Sequence, residues 1–329
     1  TTEIYTLSLH DALPISSLRL AMEYQLRQLG GESGVLLANG EGHTGKHGGI
    51  PSNYWDILPF GWKDAFSNSL FYGSLRAMVE LEEAYGQPEG RSPDEYRELA
   101  RVAHKAYDDT FWNEEAGRYV GCVDIDGVAH DYGYTFVNMQ ALAFGLGDET
   151  KARRIYDWME TGLTSSGKAD TYSRWVFAPR ASTFHNPPVS AAQEPLPSWW
   201  FWGWPGTPFE AQCQDGGAIL YTSYDDVMAR LRYFSPDNAW ERFTTIVDRY
   251  AEPDHLSGGA PLFRGEDPQG GPGGHAGSVG VEGEFPESGI VPCLWLYGFV
   301  GVQPTVEGLK IRPKLPRALE WAGVRGIAY

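Results

Sequence analysis

The sequence predicts an all-α fold whose helices pair in two concentric layers. Three observations carry this reading. Helices apolar around most of their girth alternate with helices apolar on one face. Strand-like patterns are short and gather towards the carboxyl end. The 329 residues, 42% of them apolar, suffice for one large core.

Taken in order, Leu18, Met22, Leu26 and Leu29 give helical spacing from Ser17 to Leu29, and Gly30-Gly31 stops the run. Residues 6–16 before it resemble the translation of a sequencing adapter, so 1–16 is set aside as a non-native leader. The native amino terminus is then expected to be missing, and the absence of a signal peptide says nothing about secretion. Cytoplasmic, periplasmic and secreted locations all stay open. No stretch reaches the length of a membrane span. A glycine-rich loop through His47-Gly48-Gly49 leads to the next helix, which runs from Lys63 or Asp64 to Tyr85 with Asp64 as its N-cap. Phe66, Leu70, Ala77, Leu81 and Ala84 mark one face, and Phe71, Leu75, Met78 and Val79 cover much of the rest, so this helix is enclosed.

Ser92-Pro93-Asp94-Glu95 is a capping box with proline at the first helical position. The helix it opens carries one apolar stripe, Tyr96, Leu99, Ala103 and Ala106, and faces water on the other side. Thr135 to Leu146 is again enclosed, and Glu149 to Thr161 again amphipathic. Further helices are expected at 217–224, 227–234, 238–250 and 290–300, giving about nine candidates and no exact internal repeat. Val123-Asp124-Ile125-Asp126-Gly127 reads as a hairpin turn. Residues 309–313 and 323–329 read as strands, so 303–329 is taken as the start of a short β segment after a helical domain at 17–302. Two long irregular segments, 164–214 and 251–289, are of the kind that covers sites.

Charge narrows the partners. Asp and Glu number 43 against 26 Lys and Arg, a net charge of -17, which disfavours nucleic acid and anionic membrane surfaces. Three cysteines, Cys122, Cys213 and Cys293, fit neither a disulfide scaffold nor a zinc motif. No metal or cofactor is implied: dinucleotide and P-loop fingerprints are lacking, and Glu266-Asp267 is at most a weak calcium candidate. Twelve Trp and eighteen Tyr exceed what a core needs, and suit a polar-edged cleft that binds sugar rings. Trp199, Trp200, Trp202 and Trp204 crowd into one loop, where they either stack on pyranose faces or form a hydrophobic lid. Trp175, Arg180 and His185 belong to the same long segment, and Arg180 would suit an acidic sugar.

Four stretches resemble the six-hairpin glycosidase superfamily: residues 53–61 (NYWDILPFG), 214–218 (QDGGA), 285–289 (FPESG), and 296–298 with 308–316 (LYG and GLKIRPKLP). The resemblance is nearest to α-L-rhamnosidase-like, trehalase-like and sugar-phosphorylase-like catalytic domains. It implies an (α/α)6 barrel, or toroid, of twelve helices, so the nine counted here imply that a hairpin or more is missing or that the loops conceal helices. It also places the cleft at the mouth where inner helices begin.

A glycosidase needs one carboxylic acid to protonate the leaving oxygen and a second carboxylate on the opposite face. Asp131, before an enclosed helix and beside His130 and Tyr132, is the leading acid, with helix capping as its structural alternative; Asp124 and Asp126 are weaker competitors. Glu284 or Glu287 is the expected base, with Glu282 a third choice. Asp56, nested among Trp55, Phe60 and Trp62, would hold sugar hydroxyls by the resemblance. Asp215 before two glycines reads first as a cap and second as a substrate contact. The function so read is hydrolysis of plant or microbial oligosaccharides, with inversion if the paired carboxyls stand about 6.5–9.5 Å apart. A polysaccharide lyase using His130, Tyr132 and Arg180, or a noncatalytic carbohydrate-binding toroid, are the alternatives. Oligomeric state is left open.

Overall fold

The computed structural model describes residues 8–38, 61–86, 90–131, 133–161, 221–251, 289–305 and 307–327. Its helices are α1 (Ser8–Gln28), α2 (Ala65–Tyr85), α3 (Pro93–Phe111), α4 (Thr135–Phe144), α5 (Glu149–Thr161), α6 (Thr222–Tyr233) and α7 (Pro236–Ala251), followed by a π-helical segment, Leu294–Val300. Short strands β1 (Lys63–Asp64), β2 (Trp112–Asn113), β3 (Arg118–Tyr119), β4 (Cys122–Val123) and β5 (Ala129–His130) join the helices, and β6 (Val302–Thr305) pairs with β7 (Gly308–Ile311) near the end.

Helix starts follow the local chemistry. Asp64 caps α2: its Oδ1 accepts the Phe66 and Ser67 N–H groups at 2.7 and 3.3 Å, and its Oδ2 the Ser67 hydroxyl at 2.6 Å. Ser92 and Glu95 close the expected capping box on α3, each receiving the other's backbone N–H. α4 is buried on every side from Thr135 to Leu142, as an enclosed helix must be. It ends at Gly145, whose φ of 91° suits glycine, and whose N–H returns to the Ala141 and Leu142 carbonyls.

The inner helices run side by side. Phe66 of α2 meets Phe136 of α4 at 6.0 Å between ring centroids, and ten residues on from Phe66 the Arg76 Nη1 donates to the Phe144 carbonyl at 2.8 Å. These contacts advance in the same direction along both helices, so α2 and α4 are parallel. The Tyr233 hydroxyl, at the end of α6, donates to the Leu146 and Gly147 carbonyls just past α4, so α6 is parallel to α4 as well. Each inner helix is followed by an outer one that returns: α3 after α2, α5 after α4, α7 after α6. The described residues thus form successive helical hairpins of an (α/α) toroid, with α1 packed on the first pair through Met22 and Leu26 and the π-helical segment packed on the last through Leu294 and Phe299.

A device invisible as a sequence repeat recurs at equivalent places. Asn68 lies four residues after the residue that caps α2, and Asn138 four after the one that caps α4. Asn68 Oδ1 accepts the Leu36 N–H at 2.7 Å while its Nδ2 donates to the Leu36 and Asp64 carbonyls at 3.2 and 2.8 Å. Asn138 Oδ1 accepts the Tyr119 N–H at 2.8 Å while its Nδ2 donates to the Tyr119 and Tyr134 carbonyls at 3.2 and 2.9 Å. Each buried amide clamps both polar groups of one residue from the chain beside the inner helix.

Several expectations need correction. The first helix starts at Ser8 rather than at Ser17 and buries Ile15. The buried stripe of α3 is Tyr96, Ala100, Ala103, Tyr107 and Phe111, rotated from the expected one: Leu99 and Ala106 are only partly buried, while Tyr107 packs on Phe111 and on Tyr119 of β3. The two helices expected at 217–224 and 227–234 are one helix over 222–233, since nothing in Asp225-Asp226-Val227 breaks the turn. Residues 290–300 end in π rather than α geometry. Residues 323–327 form no strand; among the described residues they have no partner strand to supply the ladder.

The tail after the π-helical segment straps back over α6 and α7. Lys314 donates from its backbone to the Phe299 carbonyl and from Nζ to the Leu231 carbonyl at 2.9 Å, and Arg317 pairs with Asp237 at 2.7 Å. Gly301 makes the turn with φ of 70°, and a Cβ there would lie 2.0 Å from the Arg312 carbonyl oxygen. Gly301→Ala is therefore expected to destabilise the chain by about 1–3 kcal/mol, through the left-handed backbone and the clash together. A urea unfolding midpoint within error of wild type would contradict this.

Candidate active site at the mouth of the inner helices

Because the inner helices are parallel, their amino-terminal ends share one side of the molecule. A three-stranded sheet in the order β1-β4-β5 stands there, with Lys63 opposite Val123 and Cys122 opposite His130. It leads directly into α2 and, through Asp131 and Gly133, into α4.

The turn between β4 and β5 is built by Asp124. Its Oδ1 accepts the Asp126 and Val128 N–H groups, both at 2.9 Å, and its Oδ2 lies 2.8 Å from His130 Nε2. Burial alone would raise the Asp124 carboxyl, but the His130 contact and the two backbone donors outweigh it and hold the group below its usual range. Asp124 is thus an anchor of the hairpin and His130 its hydrogen-bonding partner, while Asp126 is exposed on the turn.

Asp131 lies where the sequence places it, half-buried before α4, but it does not cap that helix. Tyr134 is the N-cap residue, without a side-chain cap bond. Asp131 instead accepts the Gly133 N–H at 3.1 Å and receives Arg118 Nε on Oδ1 and Oδ2 at 2.9 and 3.1 Å. The Arg118 guanidinium also lies over the Trp158 ring, 4.5 Å from its centroid, which fixes it between β3 and α5. Arg118 thereby engages both oxygens of Asp131.

Trp62 flanks the mouth on the α2 side. It is half-buried and adopts φ of 53°, a left-handed conformation uncommon for a bulky residue. Its carbonyl accepts the Ala38 N–H at 2.7 Å, which holds the ring's backbone in that turn. Trp55, Asp56, Tyr132, Trp175, Arg180, His185, Trp200, Trp202, Trp204, Asp215, Glu284 and Glu287 lie outside the described residues.

Sequence reasoning passed over two adjacent carboxylates in the first turns of α6. Asp226 is wholly buried and accepts Arg230 Nε at 2.8 Å, Arg242 Nε at 2.6 Å and the Tyr156 hydroxyl at 2.9 Å. Asp225 beside it is half-buried. Asp226 and Arg230, four apart, read in the sequence as an ordinary surface pair; only the apolar residues around them marked their burial. A groove of about 670 Å³ between α2 and α3, lined by Tyr72, Arg76, Arg97 and His104 among others, lies along the second half of α2, away from Asp64. Among the described residues, no helix is long and apolar enough to cross a membrane.

No protein-family model matches the chain, and no curated protein is similar to it in sequence. Solved structures with some likeness include a neutral trehalase from Saccharomyces cerevisiae, at 11% identity and a TM-score of 0.39 over 59% of this chain. A GH78 family rhamnosidase of a Bacillus species aligns at 16% identity and a TM-score of 0.48 over 88% of this chain. The chain spans 33% of the trehalase's length and 24% of the rhamnosidase's. The toroid assignment rests on the parallel inner helices and their returning partners.

Proposed function

We propose that this chain carries the carboxylate-bearing toroid of a glycoside hydrolase acting on plant or microbial oligosaccharides. The observation that supports the reading is the placing of acidic side chains at one end of the parallel inner helices, Asp131 before α4 and Asp225 in the first turn of α6, while Asp64 before α2 is buried and spent on its cap. In this reading one carboxyl of the mouth protonates the leaving glycosidic oxygen, and a carboxylate from Glu284 or Glu287 takes a proton from the attacking water. Asp131 is the acid that the sequence singles out, and Asp56, Trp62 and the Trp200–Trp204 loop hold the ring.

The test is a panel of aryl glycosides and plant oligosaccharides with products followed by NMR. Wild type is expected to release sugar of inverted anomeric configuration, Glu287→Gln to lower kcat by about 10²–10⁴-fold, and Asp131→Asn to do the same where Asp131 is the acid. Silence on every substrate from a folded chain would sink the hydrolase reading. A 4,5-unsaturated product from a uronate polymer would replace it with a lyase.

A further inference from the structure

The geometry points to Asp225, in place of Asp131, as the proton donor of the mouth, a role that rests on the hydrolase reading above but not on which carboxyl that reading names as its acid. Its helix sets its direction. Asp226 and Arg230 of α6 face the outer layer, where they meet Tyr156 of α5 and Arg242 and Asn238 of α7. Leu231 and Met228 face the π-helical segment, where a Cβ on Gly298 would lie 2.9 Å from Leu231 Cδ1 and 3.4 Å from Met228 Sδ. Tyr233 faces α4. Asp225, about 100° around the helix from Asp226, is left on the side turned away from the outer layer. It stands at the same end of α6 as the starts of α2 and α4.

Its surroundings suit a proton carrier. Among the described residues the Asp225 carboxyl forms no hydrogen bond or ion pair, whereas Asp131 is engaged by Arg118 and Asp124 by His130. Among the described residues, Asp226 adjoins it and Tyr224 precedes it, and Tyr224 in turn feels Cys293 and Tyr297 of the neighbouring segment. The helix of α4 packed on the other side, Thr135–Phe144, carries no ionisable side chain. Burial, and then the negative charge of Asp226, raise the Asp225 carboxyl to about 7. Asp226 is held by Arg230 and Arg242 and so is not itself available to substrate.

The step balances simply. The Asp225 O–H bond breaks and its proton passes to the glycosidic oxygen as the bond from that oxygen to the anomeric carbon breaks. Water supplies hydroxide to the anomeric carbon and its remaining proton to the opposed base, and solvent exchange restores both carboxyls.

Asp225→Asn is expected to lower kcat on natural leaving groups by about 10²–10⁴-fold, with a smaller loss on activated aryl leaving groups that need little protonation. The basic limb of the wild-type pH–rate profile, near pH 7, should vanish from the residual activity, and Asp225→Glu should recover part of the rate. A second readout needs no substrate. An unfolded aspartate releases its proton near pH 4, whereas folded Asp225 keeps it to about 7. The resulting stabilisation is complete below about pH 4 and is lost as pH rises through the folded value. Asp225→Asn should therefore remove a downward slope of stability between those limits. Wild-type rate and an unchanged pH profile in Asp225→Asn would overturn the assignment; if that variant does not fold, the absence of a downward stability slope between about pH 4 and 7 in the wild type itself would overturn it. Wild type inactive on every glycoside would instead overturn the hydrolase reading on which it rests.

Discussion

Asp226→Ala is expected to cost about 3–5 kcal/mol of stability, the range found when one partner of a buried ion pair is removed. The carboxylate is wholly buried and joins three helices, accepting from Tyr156 of α5, Arg230 of its own helix and Arg242 of α7. Removing it takes a carboxylate partner from two buried guanidinium groups. Arg230 keeps part of its compensation, since its Nη2 reaches Glu160 at 2.5 Å and its Nη1 Asn238 at 2.8 Å. Arg242 loses the oxygen on which its Nε closes. Against a total of about 5–15 kcal/mol for a folded domain, that loss takes a large fraction of the margin. Urea unfolding followed by circular dichroism measures it, with Asp226→Leu/Arg230→Met/Arg242→Met as the control. The triple replacement removes charge and partners together and should recover most of the stability. A loss under about 1 kcal/mol in Asp226→Ala would show that the arginines find water instead, and that the knot is not sealed.

Asn138→Ala is expected to cost about 2–4 kcal/mol. Three hydrogen bonds disappear, and the Tyr119 N–H and carbonyl stay buried without the amide that served both. Because Asn68 performs the same task for Leu36, Asn68→Ala should lose a similar amount, within about 1 kcal/mol. The comparison tests the equivalence of the first two inner helices directly. A large loss at one site and none at the other would mean that the two hairpins are not held in the same way. The clamp also bears on the mouth, since Tyr119 neighbours Arg118, which holds Asp131.

What was legible in the sequence follows from the range of each interaction. The capping box at Ser92 and Glu95, the N-cap at Asp64 and the enclosed character of α4 depend on neighbours three or four residues apart, so they can be read without knowing the fold. The hairpin at Asp124 is local for the same reason. The enclosed run of α4 beside the half-exposed α3 and α5 pointed to the two-layer class, because a helix apolar on all sides has to be surrounded, whereas α2, read as enclosed, leaves Leu70, Ala77 and Tyr85 exposed.

The tertiary structure decided which polar groups found each other. Arg118 and Asp131 are 13 residues apart, Tyr156 and Asp226 are 70 apart, and no pattern of spacing selects those partners. The same limit hid the correspondence of Asn68 and Asn138: two asparagines in dissimilar helices become equivalent only once each is seen gripping a buried peptide. It also hid Asp225, whose sequence context is an acidic pair like any on a surface. Burial and the fixed charge of Asp226 separate the two carboxyls into one held by arginines and one without a partner among the described residues. Local hydrogen bonds and apolar periodicity are properties of the chain. Desolvation and the pairing of distant charges are properties of the packed interior, and the proposed chemistry depends on the second kind.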